Sequence, residues 1–354
     1  MKNRIDLPHS MDIVSDELSR RDVLKEGIGL GAALAGLGAA SGHAATGAKI
    51  DNSASSGGGP DHKIRPPADG CLVGFYKPDP PSDCIRHYRT AFGANPSLFA
   101  VWSHIAERFP MIGAGMLKER GMLPYIVIYP GVARQLEKYE PGDIVNGQCD
   151  RYIKGLANDA VTFGKKHGSF FFTTMVEPNT DWWYWSRKPN IPEAVRHFWE
   201  IFEDQGANRY ATWTWEAFCP TRYGFRVDDP EPYYPGDKYV DWIGLNVFAN
   251  LKNKYIREDT MFRDLLSKPF ERMVANHPGK PMMVSEFGRT PGENQPPWLI
   301  DAFRSIKNEY PKIKAAIWYD NITAVHGGQD HTLDRRSLNT LKEIFKDPYW
   351  KMVS

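Results

Sequence analysis

Eight short apolar runs, at 72–76, 98–102, 123–129, 169–176, 211–215, 240–247, 281–285 and 313–319, constrain the fold more than any other feature. They are apolar along their whole length rather than at every second residue, so each needs cover on both faces. Between several of them lie longer stretches with helical spacing, at 149–167, 192–205, 261–276, 298–309 and 337–345. Strands separated by helices are joined by crossovers and pair in parallel. Eight such units in a chain of this size predict a single α/β domain, a closed (β/α)8 TIM barrel. The alternative is a doubly wound open sheet, but no glycine-rich phosphate loop follows the first run.

The N-terminus reads as an export signal. Ser19-Arg20-Arg21-Asp22-Val23-Leu24-Lys25 has the form of a twin-arginine box, and the Gly/Ala-rich apolar run 27–40 follows it. Small residues around His43-Ala44-Ala45 offer a cleavage site. Residues 1–45 are therefore expected to be a twin-arginine signal peptide, with Met11 an alternative start, and the mature protein to be periplasmic or secreted. The apolar run is too short to span a bilayer as a mature helix, so no stable membrane anchor is expected. Residues 46–70, rich in Gly, Ser and Pro, read as a flexible leader. Residues 71–354 form one domain without a second linker or a repeat, expected to act as a monomer.

Forty-four Lys and Arg against 43 Asp and Glu leave a charge of +1, which gives no case for binding nucleic acid or an acidic membrane. The four cysteines show no metal-ligand spacing. In an oxidising compartment Cys71 and Cys84 could close a small loop; buried free thiols are the alternative.

In barrels of this kind chemistry gathers where strands end. The strand ends read Trp102, Glu177, Trp215, Asn246 to Phe248, Glu286, and Trp318 to Asn321. Glu177 lies in FFFTTMVEPNTDWWYW, where phenylalanines precede the acid and indoles follow it. Burying a carboxylate among rings costs free energy unless something pairs with it or uses it. Alternation through Phe171, Thr173 and Met175 points Glu177 inward. Glu286 leaves its strand at Phe287-Gly288, and the fourth and seventh strands face each other across a barrel mouth. Two such carboxyls suit glycoside hydrolysis, which needs one protonated acid and one ionised carboxylate, about 5–5.5 Å apart in retaining enzymes. Apolar surroundings would hold the proton on Glu177 near neutral pH, and its pKa should fall once Glu286 loses its charge in a sugar ester. For either glutamate alone, an ion pair with a barrel Arg or Lys is the structural alternative. Glu216 is read as a loop or supporting residue.

Aromatics make up 13% of the chain, and sugar rings stack on them. Trp318 is the expected platform beneath the cleaved sugar, with Trp102, Trp182, Trp185 and Trp215 as neighbouring subsites. Tyr234, with Tyr233, is placed on a wall, and Asn179 bonds either a sugar hydroxyl or its own turn. Trp199 and Trp242 are assigned to the core, and Asp237 and Asp241 to a turn and a strand start. His326 and His331 are placed in a solvated loop near the cup. No metal, cofactor or nucleophilic-serine motif is present in the pattern.

Glu177-Pro178-Asn179 with Trp182 to Trp185, the run from Tyr234-Pro235-Gly236-Asp237 to Gly244-Leu245-Asn246, Lys280-Pro281 with Ser285-Glu286-Phe287-Gly288, and Ile317-Trp318-Tyr319 occur in that order. This series resembles glycoside hydrolase family 26, a retaining clan-A family of β-mannanases with some lichenases and xylanases, over most of 72–349. The resemblance implies Glu177 as acid/base and Glu286 as nucleophile. Mannanases of the family carry Arg and His just before the acid/base, where this chain has Thr173 and Val176. A tyrosine that bonds the nucleophile is replaced by Phe248. The expectation is a retaining endo-acting hydrolase of a β-linked polysaccharide, either β-mannan-like or a bacterial exopolysaccharide. The alternative is a glycan-binding protein of the same fold with little or no turnover. An esterase or deacetylase is disfavoured, because no Ser/His pair or metal-ligand set is present.

Overall fold

The computed structural model describes residues 62–131, 139–219, 228–249, 258–323 and 329–354. The expected signal peptide, residues 46–61 of the expected leader and His326 lie outside them. Eight strands, β1 (Cys71–Tyr76), β2 (Leu98–His104), β3 (Leu123–Tyr129), β4 (Phe170–Thr174), β5 (Ala211–Phe218), β6 (Trp242–Ala249), β7 (Met282–Arg289) and β8 (Ile313–Tyr319), pair in parallel in that order. Pairing of β8 with β1, from Leu72 opposite Ala315 to Tyr76 opposite Tyr319, closes the barrel. This is the (β/α)8 architecture.

Around it lie α1 (Pro81–Phe92), α2 (Met111–Lys118), α3 (Pro141–Val145), α4 (Asp150–His167), α5 (Ile191–Asp204), α6 (Phe262–Asn276), α7 (Gln295–Asn308) and α8 (Arg335–Ile344). The last five match the expected helices to within three residues. Of the first three, which the sequence did not single out, α2 is short and holds two glycines, and α3 has five residues. The outer strand faces bury aromatics against the helices. Phe172 of β4 and Trp213 of β5 pack on Phe202 of α5, with ring centroids 4.7 and 5.4 Å away. Burying each such side chain contributes about 1.5–3 kcal/mol.

Residues 62–70 of the expected leader are among those described. Lys63 donates to the Ala211 carbonyl and pairs with Asp241 at 2.8 Å, and the Ile64 carbonyl accepts from Trp242 Nε1. These residues dock on the starts of β5 and β6, opposite the mouth. All four cysteines are buried thiols, so Cys71 and Cys84 are not bridged.

Candidate active site

Strand alternation decides which residues face the barrel interior. On β5 the inner side chains are Thr212, Thr214, Glu216 and Phe218, while Trp213 and Trp215 face the helices. Trp215 is buried with its ring edge against Tyr234, and Tyr234 stacks on His277 and donates to Asp237. Neither lies in the cleft, contrary to expectation. Nor does Trp318. An extra residue in β8, Lys314, shifts the register against β7, and Trp318 points outward onto Phe287 and Trp298. Its neighbour Tyr319 takes the inner place, beside Tyr76 of β1.

β4 ends at Thr174, two residues earlier than expected, so simple alternation does not reach Glu177. Met175 and Glu177 instead adopt left-handed φ angles of 50° and 53°. Such conformations cost non-glycine residues of order 1–3 kcal/mol each and persist where surrounding bonds over-determine them. Those bonds are present. Glu177 N donates to the Glu216 carbonyl at 3.1 Å, and the Glu177 carbonyl accepts from Thr180 and Ser186. Asn179 accepts from Phe218 N and donates to the Phe218 and Asp228 carbonyls. Its polar atoms are thus spent clamping this loop to β5; it forms neither an Asx turn nor a free sugar contact.

The Glu177 carboxylate accepts three N–H bonds. Trp182 and Trp183 indoles donate to Oε2 at 2.8 and 2.9 Å, and Asn246 Nδ2 donates to Oε1 at 2.9 Å. Ser285 Oγ donates to Asn246 Oδ1 at 2.6 Å, which fixes the amide's orientation. Glu286 comes inward through a β-bulge. Between Met283 and Glu286 β7 has two residues where β6 has one, and its register against β8 shifts at the same place. Both Ser285 and Glu286 therefore turn into the barrel, as bulges beside active sites do. Glu286 is the cross-strand partner of Asn246.

A third carboxyl, Glu216, is inside as well. It lies on β5 rather than in a loop and accepts from Tyr125 Oη. Among the described residues none of the three carboxyls is ion-paired, so the structural alternative of an Arg or Lys partner does not hold there. Burial raises the pKa of Glu177, while its three N–H donors pull it down. Burial, then the charges of Glu216 and Glu177, push Glu286 well above the usual carboxylate range, with no hydrogen bond from the described residues opposing. Burial also lifts Glu216, to about 7. In the free protein the proton is therefore held most firmly by Glu286, not Glu177, because the indoles donate to Glu177 as well as desolvating it.

Aromatic rings encircle the carboxyls. Tyr76 meets Trp102 at 5.7 Å, Trp102 meets Tyr129 at 4.7 Å, and Tyr129 meets Trp183 at 5.4 Å. Trp182 meets Phe218 at 4.8 Å, Phe218 meets Phe248 at 6.2 Å, and Phe248 meets Tyr319 at 5.7 Å. Trp102 and Trp182 thus belong to this ring of aromatics. Trp185 does not: it is buried, stacked beneath Trp183 at 4.7 Å, and it donates to the Val176 carbonyl. His331 is buried against Phe248 rather than solvated, and burial lowers its pKa to about 4. Trp183, Tyr76, Tyr129 and Tyr319 were not singled out from the sequence. Tyr319 was one step of alternation away; Trp183 had no signal to separate it from Trp182 and Trp185. At the positions of the family's Arg and His, Thr173 Oγ1 is buried without a partner among the described residues, and Val176 is buried.

The family model for glycosyl hydrolase family 26 matches residues 135–350. Endoglucanase H of Acetivibrio thermocellus is 28% identical over 195 residues, covering 51% of this chain and 20% of that protein's length. In fold, the chain is similar to the family 26 domain of an endo-β-mannanase/endo-β-glucanase from Prevotella bryantii, with a TM-score of 0.59 at 12% identity over 80% of this chain and 91% of the other. A β-mannanase from a symbiotic protist of the termite Reticulitermes speratus, complexed with gluco-manno-oligosaccharide, gives 0.58 at 13% identity over 82% and 96%.

Proposed function

The chain belongs to glycosyl hydrolase family 26, and from that premise we propose that it is a retaining, endo-acting hydrolase of a β-linked polysaccharide, with Glu177 as acid/base and Glu286 as nucleophile. The observation that carries this reading is the position of Asn246. One side chain is the cross-strand neighbour of Glu286 and a hydrogen-bond donor to Glu177, among the aromatic rings. That arrangement, with neither carboxyl ion-paired among the described residues and with aromatic rings that suit the C–H faces of sugars around them, supports the reading.

Among the described residues no donor reaches Glu286 in the free protein, and an arriving sugar brings hydroxyls that supply one. Hydrogen bonding to Glu286 favours its ionised form, and the proton of the pair then resides on Glu177, which burial supports. Glu286 attacks the anomeric carbon while Glu177 protonates the leaving oxygen. The ester that forms has no charge on Glu286, so Glu177 takes a proton from water, and water releases the sugar. A β-mannan-like glycan or a bacterial exopolysaccharide fits a cleft walled by rings. The names of the relatives, which include mannanases and glucanases, support the β-linked class.

Glu286→Ala should abolish release of reducing ends by the mature protein, and azide should restore cleavage as an α-glycosyl azide. Full turnover in that variant would remove Glu286 from the role. A second reading, a glycan-binding protein of this fold, is favoured by Val176 and Phe248, apolar where the resembled mannanases carry polar side chains, and by Glu286 having no hydrogen-bond donor among the described residues. It predicts oligosaccharide binding that survives Glu177→Gln, with no reducing ends from the wild type. We also propose export by the twin-arginine pathway, on the Ser19–Lys25 box. Replacing Arg20 and Arg21 by lysine should retain the protein in the cytoplasm, and unchanged fractionation would count against it.

A further inference from the structure

The mechanism above makes no use of Glu216, the only inward residue of β5 that carries charge. Its carboxyl is buried, and a buried carboxyl is costly unless its bonds repay it. Tyr125 of β3 donates to it, and Ser285 of β7 and Asn246 of β6 lie within hydrogen-bonding reach. The strand between is cut back to admit it. A Cβ on Gly244 would stand 2.9 Å from Glu216 Cγ and 2.5 Å from Ser285 Oγ. The other titratable groups facing this space are Glu177 from the β4 exit, Glu286 from β7, and the hydroxyls of Tyr76, Tyr129 and Tyr319 around Glu286. Among the described residues no Lys, Arg or His contacts Glu216.

We propose that Glu216 is a positioning residue of the carboxyl pair, holding the Ser285–Asn246 bridge that orients Glu177 and opposing the ionisation of Glu286 through its own charge. This deepens the reading of the site given above and rests on it for its catalytic meaning. The connection is geometric. Asn246 Oδ1 accepts from Ser285, so Nδ2 faces the carboxyls and donates to Glu177. Ser285, within reach of the Glu216 side chain, directly precedes Glu286 on the bulge, so the two carboxyls flank one residue, and the charge of Glu216 raises the pKa of Glu286. An ionised Glu216 therefore delays the appearance of the nucleophile, and a neutral one permits it.

The test is carboxyl 13C NMR on the mature protein carrying [δ-13C]glutamate, titrated without substrate. Glu177→Gln and Glu286→Gln assign the two resonances by their loss. In Glu216→Gln the Glu286 midpoint should fall by roughly one pH unit. Tyr125→Phe removes a donor that favours ionised Glu216, so it should move the midpoint the same way by less. A residue with only a structural role would lower the melting temperature and leave the midpoint in place. An unmoved midpoint in Glu216→Gln overturns the proposal. Should that variant fail to fold, an unmoved midpoint in Tyr125→Phe does so. Because no turnover is needed, a failed titration and a failed hydrolysis assay are separable results.

Discussion

A single missing hydroxyl at Phe248 bears on the chemistry of the pair. Phe248 lies on the inner face of β6 against Phe218, Tyr319 and His331, and offers Glu286 no donor. In the proposed roles the pair must hold one proton, and in the free protein Glu286 holds it more firmly, so the alkaline limb of kcat/KM follows the raised pKa of Glu286. A tyrosine hydroxyl bonded to Glu286 would favour the carboxylate. Phe248→Tyr should therefore shift that limb to lower pH, by up to about one unit. A pH–rate profile superimposable on wild type would show that residue 248 does not reach the nucleophile. Sequence alone picked out Glu177 and Glu286, both of them buried in the barrel, because an acid at the end of an apolar strand is too costly to bury unless it is paired or used. It could not say which holds its proton more firmly, since that depends on where two indole N–H groups point.

Two local irregularities aim those acids: the left-handed exit from β4 and the bulge in β7. Asn179 secures the first. Asn179→Ala would strip partners from Phe218 N and from the Phe218 and Asp228 carbonyls, at about 1–3 kcal/mol for each group left buried and unpaired. The melting temperature should drop, and kcat should fall more than KM rises as Glu177 loses its placement. An unchanged kcat would mean that the loop holds Glu177 without this clamp. A register shift of this kind accompanies the outward turn of Trp318, whereas Trp215 lies on a regular strand. Period-2 alternation sets Trp215 opposite Glu216 and Trp318 opposite Tyr319, but it does not say which of each pair faces in.

The closed barrel gathers three carboxyls into one apolar interior, and this makes stability depend on pH. Glu216 has its folded pKa raised from 4.5 to about 7, so the folded state holds a proton that the unfolded chain has released. Stability from this group is full below 4.5 and lost as pH rises to about 7. Glu216→Gln should flatten that part of the stability curve, and the wild type should lose roughly 2–3 kcal/mol across it relative to the variant. Chemical denaturation at pH 4.5 and 7.5 measures the difference, and parallel losses in the two proteins would refute the assignment.

The order of apolar runs and helices was enough to specify a parallel (β/α)8 barrel, because strands apolar on both faces leave the chain few other ways to cover them. The same reasoning reached the two glutamates and the aromatic wealth around them. The identity of these rings was decided only on closure. Tyr76 and Tyr319 are separated by most of the sequence and meet because β8 pairs with β1. Glu216 and Asn246 entered the site by facing inward on β5 and β6 once the barrel closed. A one-residue bulge or a left-handed turn leaves almost no mark on composition or periodicity, yet it reverses the face on which every following side chain falls.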